Sequence, residues 1–303
     1  MNKVTSLSKA VKQFVKRGST ISFGGFVGRQ PQAAVHEIVR QNITDLHVIG
    51  DTNCVVDELI GMGCVNTYEF GWQAISMMDS GYNMRRSVEQ GIPTRIIAKD
   101  YSNQGIALRL MAGAFNIPFM PTKSMLGSDI LKYNQDIKVI NDPFTGKPIT
   151  LVPACKPDVS IISVQRSDSE GNCQIFGPIG ADDVRATASD HTIVLCEELV
   201  STDYIRKYPN MTTIPSYSVD AVVRLPYNCH PNPCYGCYYG DPTFLREYGN
   251  KSRTREGFLE WIQEWVLTLA SHEEYCSKVG WDWLKKLGEM EQELNRIPFG
   301  VVV

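Results

Sequence analysis

The chain has 303 residues, 43% hydrophobic and 21% charged, with 30 basic against 33 acidic side chains and a formal net charge of −3. That balance can bury a substantial core, carries no basic stripe that would suit nucleic acid, and carries no acidic block of the kind found in disordered tails. The longest apolar runs, such as Ile21 to Phe26 and Val301 to Val303, fall far short of the roughly 18 to 20 residues needed to cross a bilayer, and the N-terminus lacks a signal-peptide core; the expectation is a cytoplasmic protein with no membrane or nucleic-acid partner.

Residues 5–17 have Leu7, Val11 and Phe14 on one helical face, and Gly18 stops that helix. Ser19 to Phe26 reads as a buried strand, Gln32 to Arg40 as a helix and Leu46 to Ile49 as a strand. The alternation continues with a helix near 55–61, a strand near 65–70, a helix near 82–90 and the strand Thr94 to Ala98. A helix near 104–115 and a strand near 118–122 follow. Strands alternating with helices of this length predict parallel βαβ units and an open, mostly parallel α/β sheet covered by helices. Farther on, Val159 to Val164 is a β-branched run suited to a central strand. Strands are expected at Cys173 to Phe176, His191 to Cys196 and Val219 to Leu225, with a helix over Ile179 to Ala188. The Pro-, Gly-, Tyr- and Cys-rich stretch 226–243 predicts an ordered loop. Phe258, Trp261, Ile262, Trp265 and Leu269 recur at helical spacing in 254–270, and helices over 272–279 and 281–294 complete a helical C-terminal layer. With no repeat, low-complexity tract or linker, residues 1–303 are expected to form a single domain, with 254–294 as its C-terminal helices.

Residues Ile21-Ser-Phe-Gly-Gly-Phe-Val-Gly-Arg-Gln-Pro31 run from a strand through glycines into a helix opened by proline. Glycines admit close backbone approach and a helix N-terminus favours negative charge, so Gly24, Gly25 and Phe26 are candidates to face a ligand. The competing reading is a glycine-rich turn without one. Neither GxGxxG nor GK[ST] is present, which sets aside the Rossmann fingerprint and the P-loop.

Gly24-Gly25-Phe26 with Pro31 resembles the signature of family I coenzyme A transferases, in their A (α) chain, and Arg29-Gln30-Pro31 resembles the glutaconate branch of that family. Matching segments continue through Lys99-Asp-Tyr-Ser-Asn-Gln-Gly105, Ile117-Pro-Phe-Met-Pro121, Asn141-Asp-Pro-Phe144, Cys196-Glu-Glu198, Val219-Asp-Ala-Val222 and His230-Pro-x-x-Cys-Tyr-Gly236, and on to His272-Glu-Glu-Tyr275. The resemblance implies an A-type subunit that works with a B (β) subunit, in an α2β2 assembly. It moves CoA between an acyl-CoA and a carboxylic acid, a dicarboxylate among the candidates. It binds no cofactor, coenzyme A thioester being a substrate. The nucleophile in the family is a glutamate in a Ser-Glu-Asn-Gly motif of the B subunit. This chain has no such motif, and its Ser169-Glu-Gly-Asn172 reads as a turn with Glu170 exposed.

In the same terms, Gln104 is expected to donate its amide to the thioester oxyanion, with Asn103 as the alternative donor, Ser102 beside them, and Gly105 leaving room for the thioester. The competing reading makes Gln104 a helix cap. Arg29 either pairs with a substrate carboxylate or CoA phosphate or is a solvent-exposed turn cation. Glu69, in Tyr68-Glu-Phe-Gly71, either faces the cleft or is solvated. A ring-opening CoA-thioester hydrolase of the same fold is the second reading, and an amide at Asn103, where that branch places an acid, counts against it. A non-catalytic ligand-sensing module is the third. It would need a fused DNA-binding helix-turn-helix, for which the stretch before residue 19 is too short.

Nine cysteines, an odd number scattered along the chain, predict free thiols. Cys229, His230, Cys234 and Cys237 invite a zinc reading, since Cys234-Tyr-Gly-Cys237 has CxxC spacing. The second knuckle is missing and Cys229-His230 are adjacent, so the expectation is a metal-free loop packed by Pro231, Tyr235 and Tyr238. His36, His47 and His191 sit beside apolar residues and read as structural.

Overall fold

In the computed structural model, which describes residues 2–75 and 79–294, seven parallel strands build one sheet. The run Val301 to Val303 lies outside the described residues. Across the sheet the order is Ala221–Arg224, His191–Val200, Val159–Asp168, Thr20–Phe23, Leu46–Thr52, Val65–Trp72 and Ile97–Asp100, and Cys173–Gln174 folds back antiparallel on Val159–Asp168. The first half of the chain steps outward from Thr20–Phe23 in one direction and the second half in the other. The order therefore reverses between Thr20–Phe23 and Val159–Asp168, and the carboxyl ends beside such a reversal form a crevice.

Side chains alternate across the sheet. Ile21 and Phe23 enter the main core with helices Leu7–Phe14, Gln32–Arg40 and Arg255–Ile262, while Ser22 points to the opposite face, toward Arg185 of helix Asp182–Ala188. On that second face helix Asn103–Ala114 packs against helix Asp182–Ala188 and against strands Leu46–Thr52 and Val65–Trp72. The C-terminal helices join the main core through Phe258, Trp261, Ile262 and Val266, three of which the helical spacing singles out.

Boundaries move where local bonding overrides pattern. The first helix ends at Phe14 because Val15 turns extended and the Lys16 amide bonds to Ser19 Oγ at 3.0 Å. The strand expected over Ser19 to Phe26 stops at Phe23, since Gly25, at φ +88°, begins the turn. Residues 94–96 are tied back to helix Tyr82–Gln90, with the Ile96 amide on Ser87 Oγ at 3.3 Å, so the edge strand is Ile97–Asp100 and not Thr94 to Ala98. Phe119–Thr122 lies outside the parallel sheet: it pairs antiparallel with Pro148–Pro153, which pairs with Lys138–Asn141. That three-stranded sheet and helix Pro242–Ser252 go beyond the sequence expectations.

A glycine sets how helix Asn103–Ala114 sits. A Cβ on Gly113 would lie 2.0 Å from the Cys155 carbonyl oxygen, so the helix can approach this segment only without a side chain there. Gly113→Ala is expected to cost about 2 kcal/mol or more through backbone displacement. Thermal unfolding checks it: a clearly lowered midpoint is the expected result, and an unchanged one would show that the helix shifts freely.

Candidate active site

The turn after Thr20–Phe23 is fixed by a buried ionic network. Gly25 adopts φ +88°, and a Cβ there would lie 2.5 Å from the Gly28 carbonyl oxygen, which requires glycine. Its amide donates to Asp182 Oδ1 at 3.0 Å. Asp182 also accepts from Arg29 Nη1 at 3.0 Å and from Arg185 Nη1 at 2.6 Å. Arg185 reaches Asp51 Oδ1 at 3.2 Å and donates from Nε to Ser22 Oγ at 2.9 Å. Arg29, Asp182 and Arg185 are all fully buried.

This placement corrects both expectations for Arg29. Its guanidinium is neither a solvated turn cation nor open to a substrate carboxylate or CoA phosphate. It donates to the carbonyls of Ser163 at 2.8 Å and Pro178 at 2.7 Å as well as to Asp182. The Gly25 amide likewise faces inward, so the glycine turn does not present it to a ligand, and Gly24 is buried as well. Phe26 and Val27 do reach the surface, Phe26 half-buried beside Gly180. Asn53, which the sequence reading did not single out, is buried at the end of the neighbouring strand and donates to the Gly24 carbonyl at 3.4 Å.

Beyond the edge strand, Ser102 caps helix Asn103–Ala114: its Oγ accepts from the Gly105 amide at 2.9 Å and shares a hydrogen bond with Ser124 Oγ at 2.6 Å. Ser102 is therefore the cap, which sets aside the competing sequence reading of Gln104 as the helix cap. Gly105 gives its space to Met125 and the Ser102 hydroxyl, each 3.2 Å from where a Cβ would be, and not to an approaching thioester. Asn103 packs against Gly71, where a Cβ would meet Asn103 Oδ1 at 2.2 Å, and that oxygen is buried with no hydrogen-bond partner among the described residues. Gln104, in the first turn of the helix, is exposed. The structure thus brings Ser102, Asn103 and Gln104 together at one helix N-terminus, where the helix dipole favours negative charge, and leaves the Gln104 amide at the surface.

Glu69 is neither in the cleft nor solvated. It is buried, pairs with Arg109, and lies 3.2 Å from His47 Nε2 and 3.8 Å from Lys99 Nζ. Arg109 in turn lies over the Tyr101 ring, 4.3 Å from its centroid. Burial pushes the Glu69 carboxyl up, but the adjacent His47 and the charge and hydrogen bond of Arg109 outweigh it and hold it down at about 2. The cluster ties strand Val65–Trp72 to helix Asn103–Ala114 and so orients the Gln104 end of that helix.

Glu170 lies in a turn, as the sequence predicts, but half-buried and not exposed: Asp168 Oδ1 accepts from the Glu170 and Asn172 amides, each at 2.9 Å. In the 226–243 segment His230 is turned away from the thiols, its Nδ1 2.8 Å from Tyr275 Oη and its Nε2 3.3 Å from Asp241 Oδ2.

The profile of the coenzyme A transferase family matches residues 4–225. The A chain of 3-oxoadipate CoA-transferase from Pseudomonas knackmussii is 35% identical over 280 residues, 92% of this chain and 99% of the relative. The A chain of glutaconate CoA-transferase from Acidaminococcus fermentans is 37% identical over 299 residues, 92% of each chain. The crystal structure of glutaconate coenzyme A-transferase from that organism superposes with a TM-score of 0.89 at 36% identity, covering 94% of this chain and 95% of the other. The IpdA component of the cholesterol ring-cleaving hydrolase of Rhodococcus jostii is more distant, 26% identical over 283 residues, 88% of this chain and 92% of the relative.

Glu69 carries a pH prediction. Its carboxyl falls from an ordinary 4.5 to about 2 on folding. Stability from this group is therefore complete above about pH 4.5 and is lost as pH falls toward 2, a contribution of order 3 kcal/mol. Glu69→Gln should lower stability at neutral pH and flatten the acid limb of the stability profile, read by denaturant unfolding from pH 7 to 2. An unaltered acid limb in the variant would show that this cluster is not what acid dissolves.

Proposed function

This chain belongs to the coenzyme A transferase family and is the A-type component of a CoA-transferase, and from that premise we propose how it contributes to the reaction. The proposed partner is a B subunit of similar size in an α2β2 assembly, in the cytoplasm. Among the described residues no helix is long and apolar enough to cross a membrane. Within the assembly a glutamate of the B subunit attacks the acyl-CoA thioester and forms a mixed anhydride. CoA thiolate then attacks the anhydride, leaves a glutamyl-CoA thioester and releases the first acid. The second acid reverses these steps. Coenzyme A is a substrate here, and the steps call on carboxylates, a thiolate and hydrogen-bond donors.

The observation that carries this chain's part is the exposed Gln104 at the N-terminus of helix Asn103–Ala114, with Ser102 already serving as the cap. A neutral amide there can donate to the oxyanion that forms when the partner's glutamate attacks, without adding a proton to manage. Asn103 is fitted against Gly71 and supports the turn. The acceptor acid is proposed to be a dicarboxylate, on the likeness to components of glutaconate and 3-oxoadipate transferases. The hydrolase reading is weaker: that relative is the more distant, and residue 103 here is an amide.

Two outcomes test this. Purified alone, the chain should transfer no CoA, with activity returning when a B subunit carrying the glutamate motif is added; robust turnover by the isolated chain would sink the proposal. In the assembled enzyme Gln104→Ala should lower kcat by about 100-fold or more with little change in substrate binding, and Asn103→Ala should do less. If Asn103→Ala cripples turnover and Gln104→Ala is silent, the donor is Asn103.

A further inference from the structure

The loop 226–241 folds its thiols toward a carboxylate of the main sheet. Cys234 to Tyr238 make a tight hairpin: the Cys234 amide donates to the Tyr238 carbonyl and the Tyr238 amide to the Cys234 carbonyl, both at 3.0 Å, with Gly236 at φ +76° between them. Beneath it, Glu197 projects from strand His191–Val200. The sulfurs of Cys229 and Cys234 and a carboxylate oxygen of Glu197 all lie within 4.8 Å of one another.

We propose that Cys229, Cys234 and Glu197 form a binding site for a soft divalent cation, zinc above all. Tetrahedral zinc bonds sulfur at about 2.3 Å and carboxylate oxygen at about 2.1 Å, so its ligand atoms lie roughly 3.5 to 3.8 Å apart. The three atoms here need close by only about an ångström to reach that geometry. Soft thiolates select for zinc over magnesium or calcium.

The supporting shell is already in place. Glu197 Oε1 accepts from Asn228 Nδ2 at 2.7 Å and Tyr238 Oη at 2.8 Å, and Oε2 accepts from the Tyr227 amide at 2.7 Å, which aims the carboxylate and leaves acceptor capacity on Oε2. Cys237, three residues from Cys234 and the least buried of the loop's three thiols, borders a surface pocket of about 170 Å³. Binding replaces the thiol protons with metal bonds and releases them to solvent, with no change in oxidation state. The objection raised by the sequence, that adjacent Cys229 and His230 cannot both close on one ion, falls away because His230 faces Tyr275 and Asp241 and Glu197 takes its place.

The test uses the full chain, reduced, stripped with chelator and titrated with Co²⁺ without oxygen. The expected result is a thiolate-to-cobalt charge-transfer band that saturates at about one ion per chain and is displaced by Zn²⁺. Cys234→Ser should abolish the band. Glu197→Gln, which keeps the side chain's shape, should weaken binding by about 10-fold or more and serves as the deciding variant if Cys234→Ser fails to fold. Cys173→Ser, a buried thiol outside the cluster, should leave the band intact. Absence of the band in the unaltered chain, or an unchanged band in both Cys234→Ser and Glu197→Gln, overturns the proposal.

Discussion

The Asp182 carboxylate is the interaction on which the rest of the sheet's active edge depends. It joins Arg29, on the turn after the first strand, to Arg185, on a helix more than a hundred residues later, and it takes the Gly25 amide as well. With Asp51 the set holds two guanidinium groups and two carboxylates, so the charges balance inside the fold. A buried pair of this kind adds little net stability over a well-packed apolar alternative, but loss of one partner strands a buried charge and costs about 3–5 kcal/mol. It therefore fixes one arrangement of the two halves of the chain where the strand order reverses.

A second set of constraints aims helix Asn103–Ala114. Its start is set by the Ser102 cap and by Asn103 pressed on Gly71, its middle by Arg109 between Glu69 and the Tyr101 ring, and its end by Gly113 against the Cys155 carbonyl. An oxyanion donor acts only if it is held in place before charge develops. Anchors along three turns of one helix suit the donor role proposed for Gln104, and they account for Glu69 being buried in an ion pair.

The loop after the last strand locks these parts to the C-terminal helices. The Pro233 carbonyl accepts from the Arg29 amide at 2.7 Å, and Gln165 Nε2 donates to the Tyr235 carbonyl at 2.8 Å. On its other side His230 meets Tyr275 and Phe244. Phe244 stands edge-on to Trp261 and Trp265, each with centroids 4.8 Å away. The glycine turn is thus backed by a loop that is itself backed by an aromatic cluster.

By itself the sequence determined the kind of fold and the family. Helix and strand periodicity are local properties of consecutive residues, so the alternating units, the Val159 to Val164 part of strand Val159–Asp168 and the amphipathic stretch around Trp261 were legible, and motifs spread along the chain carried the resemblance. Pairing partners were not: the Phe119–Thr122 strand reads the same whether it joins the parallel sheet or the antiparallel one beside it. Side-chain roles were less legible still. Arg29 and Glu69 look like site residues because charged groups in glycine-rich or strand-end segments usually face water, and only the tertiary structure supplied the buried partners, Asp182 and Arg109, that draw them inward. The same holds for Glu197 beneath Cys229 and Cys234, more than thirty residues away in the chain. Ion pairing and ligand geometry depend on distance in space, and the sequence records only distance along the chain.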